Sequence, residues 1–381
     1  MSLSNDLRIE CVRTARHRAD FFRVKRELYR NDPAAVIPFR SMEWRFLDST
    51  AHPFYEHAER EVFVAYRGRK PIGRIAAIID RMHNEHYQEQ MGFFGFFESP
   101  NDPLTAEALI KTATDFLRQK GCQSIRGPMN PSMKGEFGVL VEGHEHPPRV
   151  MMAHTPAYYH DLLVGLGFDV VKRFFAFNFD WMNIDGWQQR FEHLGDSCAR
   201  IQKRFPDLKL ERATAKNVES RLREINGIGN RIRSVGWGFV PLTEAELDYM
   251  VLQMKRVIRP DLVVSAYYHG QLVGYIVNIP NVNWAIKRTV GPWDWLRMLQ
   301  MPFWMKRIPQ CRLIALGVDP EWRRKGIAAL LTKSMTDLTP QFKLWEFGWI
   351  AEDNLPSMSA LDRALPLVRY KTYHVYEKPI D

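Results

Sequence analysis

The feature that most constrains the fold is an echo of the chain within itself. The stretch EVFVAYRGRKPIG ends at Gly73, and LVVSAYYHGQLVG ends at Gly274. Aligned without gaps, Ala65 falls on Ala266, Tyr66 on Tyr267, Ile72 on Val273 and Gly73 on Gly274. Self-similarity of this kind means that one supersecondary unit is built twice. Each copy reads as a strand, a polar turn and a second strand opening with the glycine. The residues downstream of each copy repeat a common order. In the first half GFFGFFE (92–98) leads into a proline-containing loop, an amphipathic helix (104–120) and the strand SIRG. In the second half RLIALGV (312–318) leads through a polar turn into the helix Gly326–Leu338 and the strand KLWEFGWI (343–350). The closing pieces are Tyr158–Gly167 plus Val170–Phe179, and Ser357–Leu365 plus Thr372–Lys378. The expectation is an α/β (α+β) architecture of two similar halves, 1–185 and 186–381, each a mixed sheet flanked by helices.

A chain of 381 residues is long enough for two such domains, and 45% hydrophobic with 25% charged residues supplies a core for both. No signal-type leader and no run of about 18 apolar residues stands out, so no membrane span is expected. Cys11, Cys122, Cys198 and Cys311 lie far apart, and the twelve histidines form no ligand motif. No metal is expected, and a reducing cytoplasmic location fits. The formal net charge of +9 favours anionic partners: nucleic acid, acidic lipid surfaces or phosphorylated ligands. No nucleic-acid motif supports the first of these.

The segment richest in chemistry is VDPEWRRKGIAALL, Val318–Leu331. A hydrophobic strand ends, a tight turn comes next, and a helix begins near Gly326. The first turn of a helix carries backbone N–H groups without intrahelical partners and the positive end of the macrodipole, which together bind phosphate. Gly326 and the small Ala328 let a phosphate approach the backbone, Ile327 lies between them, and Arg323, Arg324 and Lys325 add positive charge. An ordinary cationic helix start would carry the same residue types. Arg323-x-x-Gly326-x-Ala328, preceded by Val318-x-Pro320, resembles the coenzyme A loop of the GCN5-related N-acetyltransferases (GNAT). The resemblance implies that the loop amides hold a pyrophosphate, that the splayed strand before the loop holds the pantetheine, and that acyl-CoA or acetyl-CoA is the donor. In that superfamily the next motif begins with Asn, here Asn354, and places a tyrosine acid seven residues later. This chain has Leu361 there, so another group or solvent protonates the leaving thiolate. For the base that deprotonates an attacking amine, Glu346 in an apolar strand and Glu352 at its end are the candidates. A buried carboxylate with a raised pKa suits that role, whereas a salt-bridged strand glutamate does not.

The first half departs from this pattern. Its equivalent loop, Glu98-Ser-Pro-Asn-Asp-Pro-Leu, has no glycine or arginine, and it carries acids and prolines where phosphate would sit, so it reads as a degenerate copy. It does carry GPMNPSMKGEFGVLVEG (127–143) and MMAHTPAYY (151–159), where Asn130, Glu136, His154, Tyr158 and Tyr159 are candidates for contact with the acceptor. The same residues also suit turns in which side chains satisfy the backbone.

The phrases LYRNDPAAVIPFR, GRIAAIID, GFFGFFE, GPMNPS, WGFVPLTEAEL and WIAEDN resemble a narrower family of two-half bacterial acyltransferases. That neighbourhood includes bacterial ceramide synthases, which join a fatty acyl group from acyl-CoA to a sphingoid amine. Residues 279–311 bear on this independently. They lengthen a connection that normally needs only a hairpin, and they interleave Trp284, Trp293, Trp295, Phe303 and Trp304 with Lys287, Arg288, Arg297, Lys306 and Arg307. Such a segment suits peripheral contact with an anionic membrane or the mouth of a hydrophobic site; a core-packed helix with solvated cations is the plainer alternative. The expected activity is acyl transfer from coenzyme A to an amine, with a lipid amine as one acceptor class. The rivals are an acetyltransferase for a small-molecule or protein amine and a non-catalytic acyl-CoA-binding protein.

Overall fold

The computed structural model describes residues 6–180, 187–233, 236–336, 341–354 and 367–380. The chain forms two compact units, residues 1–173 with 371–381, and residues 174–370. In the first unit the elements run β1 (Leu7–Cys11), α1 (Ala15–Leu28), α2 (Arg40–Arg45), β2 (Ala58–Arg67), β3 (Lys70–Asp80), α3 (Arg81–Tyr87), β4 (Met91–Glu98), α4 (Pro103–Gln119), β5 (Ser124–Gly127), β6 (Met129–Asn130), β7 (Glu136–Phe137), β8 (Val139–Glu142) and α5 (Tyr159–Gly165). Strand β9 (Asp169–Asp180) carries the chain into the second unit. There the order is α6 (Trp187–Arg204), β10 (Leu208–Arg212), α7 (Val218–Arg233), α8 (Glu244–Lys255), β11 (Val263–Tyr268), β12 (Gln271–Pro280), α9 (Val282–Arg288), α10 (Asp294–Met305), β13 (Gln310–Val318), α11 (Ile327–Thr336) and β14 (Leu344–Ala351). Strand β15 (Val368–Pro379) ends the chain.

The sheet strands of the two units repeat one plan. In the first, β1, β2, β3 and β4 are antiparallel neighbours and β4 runs parallel to β5. In the second, β10, β11, β12 and β13 are antiparallel neighbours and β13 runs parallel to β14. The closing strands are exchanged: Phe174–Asp180 of β9 pairs with β14 in the second unit, and residues 372–379 of β15 pair with β5 and β8 in the first.

The sequence echo has a physical basis. Both hairpins bulge at the matched step, Ala65/Tyr66 and Ala266/Tyr267. The matched glycines lie three residues inside their strands rather than opening them. Each sits under a helix. A Cβ on Gly73 would meet Leu109 of α4 at 2.8 Å, and one on Gly274 would meet Ile327 of α11 at 2.8 Å. Helix and sheet can close to this spacing only where the side chain is missing. Helix α4 presents Ala106, Leu109, Ala113 and Leu117 to its sheet, and α11 presents Ile327, Leu330 and Leu331 to the other. Burying each such leucine stabilises its unit by roughly 1.5–3 kcal/mol.

Candidate active site

In the second unit β13 and β14 share only a short parallel ladder, from Gln310↔Leu344 to Leu313↔Phe347. Beyond it β14 turns to β9 (Ile350↔Phe175, Ala351↔Phe174), while β13 stays with β12 as far as Val318. A bulge at Ile314 marks the parting, because Asn278 faces Leu313 while Val277 faces Ala315. Ile314–Leu316 and Gly348–Trp349 therefore border a gap with no ladder between them, and they are half-buried. This is a splayed pair of strands, the geometry that the resemblance implies.

The gap leads to the helix start. Asp319 closes the turn by accepting from the Glu321 amide at 3.0 Å. Arg324 and Gly326 take positive φ, 63° and 90°. The first bond of α11 is donated by Leu330 N–H to Gly326 C=O at 3.2 Å, so the amides of Ile327, Ala328 and Ala329 precede the ladder. Among the described residues, Arg323 and Arg324 are exposed and have no acidic partner, while the Lys325 ammonium lies 4.3 Å from the Trp322 ring centre. Gly326 has a structural cause as well as room for a ligand. Its φ of 90° is left-handed, and a Cβ would meet Ile201 Cδ1 of α6 at 2.3 Å.

Glu346 is fully buried, and its Oε2 lies 2.8 Å from Nε of Arg312, which is 3% exposed. The two face each other in the parallel ladder. Arg312 also donates to Gly348 C=O at 3.0 Å, at the point where β14 leaves β13. This is the salt-bridged geometry, with the carboxylate charge already balanced. Glu352 is half-buried just past the end of β14, at the open end of the gap. Asn354 is exposed, and its backbone N–H donates to Ala351 C=O at 2.9 Å. Leu361, and the helix expected over 357–365, lie outside the described residues. Cys311 is buried, its thiol donates to Ile279 C=O at 3.3 Å, and burial raises its pKa far above the usual thiol value, so it is a poor nucleophile.

The first unit closes the corresponding gap with its own backbone. After the pairs Met91↔Ser124 to Phe93↔Arg126, the ribbon of β6 and β7 packs on β4. A Cβ on Gly95 would sit 1.7 Å from Met129 O, and one on Gly127 would sit 2.3 Å from Phe94 O. Asn130 Oδ1 accepts the Phe96 amide at 2.6 Å, and Glu136 pairs opposite Asn130 in the ribbon. An acid stands beside the helix start too. Arg67 and Thr105 both donate to the Asp102 carboxylate, at 2.7 and 2.5 Å.

Glu98 does not face the loop but belongs to a buried network. It accepts from Tyr29 at 3.0 Å, Tyr159 at 2.9 Å and Arg74 at 3.4 Å, and Arg74 also binds Glu43 at 2.6 Å. Tyr159 in turn accepts the Ser99 amide at 2.9 Å, and Tyr158 donates to Ser99 C=O at 2.8 Å. Burial pushes the Tyr158 phenol up to about 12. His154 Nε2 lies 2.7 Å from Asp32 Oδ2. Burial lowers the histidine. Burial also pushes Asp32 up, but the hydrogen bonds from His154 and the Ala34 amide outweigh it and leave that carboxyl below its usual range. Asn130, Tyr158 and Tyr159 thus bond the protein's own backbone and Glu98. Sequence reasoning missed Arg312, Arg74 and Ile201. The signal for the first two was an arginine in an otherwise apolar strand, RLIALGV and GRIAAIID.

Comparison with known proteins agrees with this geometry. The model of the acetyltransferase (GNAT) family matches residues 233–365. A bacterial ceramide synthase of Caulobacter vibrioides is 29% identical over 394 aligned residues, covering 100% of this chain and 99% of the relative. Protein YghO of Escherichia coli is 30% identical over 389, covering 97% and 95%. Among solved structures, a tandem GNAT protein from the clavulanic acid biosynthesis pathway superposes with a TM-score of 0.56 at 12% identity, covering 98% of this chain and 99% of that one. A GCN5-related N-acetyltransferase from Sphaerobacter thermophilus superposes at 0.55 and 11%, covering 100% and 97%. These two likenesses bear on the fold alone.

Proposed function

The chain belongs to the GNAT family of N-acyltransferases, and from that premise we propose that it moves an acyl group from coenzyme A to the amine of a long-chain lipid. The observation that carries the reading is the open gap between β13 and β14 ending in a cationic helix start. Arg323, Arg324, Lys325 and the amides of Gly326, Ile327 and Ala328 would hold the pyrophosphate, with Asn354 nearby in the chain pattern. The pantetheine would lie along Ile314–Val318. The residues fit such a group: a left-handed glycine, exposed arginines with no acidic partner among the described residues and amides ahead of the helix ladder all favour a dianion.

Bound there, coenzyme A supplies a thioester. A backbone N–H on the edge of β13 that has parted from β14 polarises its carbonyl. The acceptor amine loses a proton to a carboxylate, directly or through water, and attacks the carbonyl carbon. The C–N bond forms as the C–S bond breaks, and the thiolate leaves to be protonated by solvent. Of the two carboxylates, Glu352 is the base in this reading. Glu346 is held by Arg312 and serves to position β14. The first unit's gap is filled, so the proposed donor site lies in the second unit alone, and Asn130, Glu136, His154, Tyr158 and Tyr159 are read as holding the first unit's own structure. The lipid acceptor is supported by the end-to-end likeness to a protein named for ceramide synthesis. This reading sets the enzyme in the cytoplasm, peripheral to the inner face of the membrane.

Acyl-CoAs of graded length offered with a long-chain amino-alcohol test it. Long chains should be transferred, and the double variant Arg323→Glu/Arg324→Glu should raise the KM for acyl-CoA about 100-fold. Two lost charge-assisted bonds of about 1.5 kcal/mol each amount to that, with the melting temperature unchanged. Turnover confined to acetyl-CoA would point to the small-amine rival, and binding without turnover to the non-catalytic one.

A further inference from the structure

Helix α10 is built inside out. Its exposed face carries Trp295, Met298, Leu299 and Phe303, at helical spacing, with exposures of 58, 39, 71 and 52%. Its buried position is instead a charge. Arg297 is 8% exposed, donates to Thr289 Oγ1 at 3.1 Å and lies 3.5 Å from Asp294. The loop before the helix adds Val290 at 72% and Trp293 at 59% exposure. Trp293 and Trp295 stack on each other, centroids 6.1 Å apart with planes 8° from parallel. A helix that merely packs on a core turns its apolar stripe inward; this one turns it to the solvent.

Cations flank the stripe. Lys287, Arg288, Lys306 and Arg307 are all exposed. The guanidinium of Arg288 lies 3.6 Å from the Trp284 ring centre, and that of Arg307 lies 3.6 Å from Phe303. Asp294, the one acid in residues 279–311, is drawn toward Arg297. Apolar and aromatic groups ringed by an excess of cations match the boundary between acyl chains and acidic headgroups. A second copy of this chain is a poor occupant, since a two-fold contact through this face brings the same cations together with only Asp294 of each copy to offset them. No helix among the described residues is long and apolar enough to cross a membrane, so the stripe would lie in the interface.

We propose that the α9–α10 hairpin is a docking surface for an anionic bilayer, seated with Trp293, Trp295, Leu299 and Phe303 below the headgroups. The proposal rests on the lipid reading above and gives that acceptor its point of entry. The hairpin rises from the start of β13, which faces Pro280 at Cys311, and the phosphate loop lies past the strand's other end. About 20 Å of strand separates them, so the polar end of the donor is held away from the surface and its thioester end is directed toward it.

The test needs no catalysis. Full-length protein is floated with vesicles of phosphatidylcholine alone or with 30% phosphatidylglycerol, and tryptophan emission is followed with acyl-brominated lipid. Binding should be at least tenfold stronger to the anionic vesicles, with quenching by the brominated chains. The variant Trp293→Ser/Trp295→Ser/Phe303→Ser should lose quenching and at least tenfold in binding. Lys306→Glu/Arg307→Glu should lose the preference for anionic lipid. Both should melt as the parent does and still acylate a short, water-soluble amine if the transfer reading holds. Absence of vesicle binding, binding indifferent to these substitutions, or self-association that the apolar variant abolishes would overturn the proposal. Loss of turnover by the parent on every amine would instead count against the reading it rests on.

Discussion

The same strand–loop–helix device occurs twice in this chain, and the two copies differ in what fills it. In the second unit β13 and β14 part after Leu313↔Phe347 and leave Ile314–Leu316 with no ladder to β14, and the loop beyond carries Arg323 and Arg324 with no acidic partner among the described residues. In the first unit β4 and β5 part after Phe93↔Arg126, but Met129 and Asn130 press into the gap and Asp102 binds Arg67 and Thr105 at the helix start. Sheet order, bulge and helix packing are shared, so the fold alone does not make a ligand site. What differs is a short ribbon, two prolines and the sign of the loop charge. Each unit also carries a buried ion cluster, Arg312 with Glu346 in one and Arg74 with Glu43 and Glu98 in the other. In the second unit the cluster sits at the parting of the strands. In the first it ties the end of β4 to the helices before it.

The largest effect should come from separating the second cluster. Glu346→Gln leaves a buried guanidinium without its counter-charge and should destabilise the protein by about 3–5 kcal/mol, read from urea denaturation. The double variant Arg312→Met/Glu346→Leu should recover most of that loss and retain acyl transfer. A double variant that folds but is inactive at every pH would return Glu346 to the role of base. A smaller effect belongs to the filled gap. Asn130→Ala leaves the Phe96 amide without its acceptor, 2.6 Å away in the parent, and should cost about 1–3 kcal/mol. Affinity for coenzyme A should stay within twofold. A new coenzyme A site in the first unit of this variant would mean that the ribbon alone sets the two copies apart.

Much of this was legible because it is local. The alternation around Ala65 and Ala266 and the turn at Asp319 act over a few residues, and the chain displays them directly. The charge of the Arg323–Lys325 loop is likewise a property of consecutive residues. What stayed hidden depends on residues far apart in the chain. The partner of Glu346 is Arg312, one strand away, and periodicity does not tell a paired carboxylate from a raised one. Ile201, which lies against Gly326, comes from a helix more than a hundred residues earlier. Asn130 and Tyr159 looked like ligand contacts because polar groups among glycines and prolines look alike whether they face a substrate or the amides of Phe96 and Ser99. The exchange of closing strands depends on pairing across the whole chain, and nothing in the composition of Val170–Phe179 or Thr372–Lys378 announces it.

The central claim is that one helix start of the two holds the nucleotide. Amide hydrogen exchange with and without coenzyme A measures this most directly. The account predicts slowed exchange in peptides covering 323–330 and no change in those covering 99–107. Slowed exchange at 99–107, or none at 323–330 with saturating ligand, would contradict it.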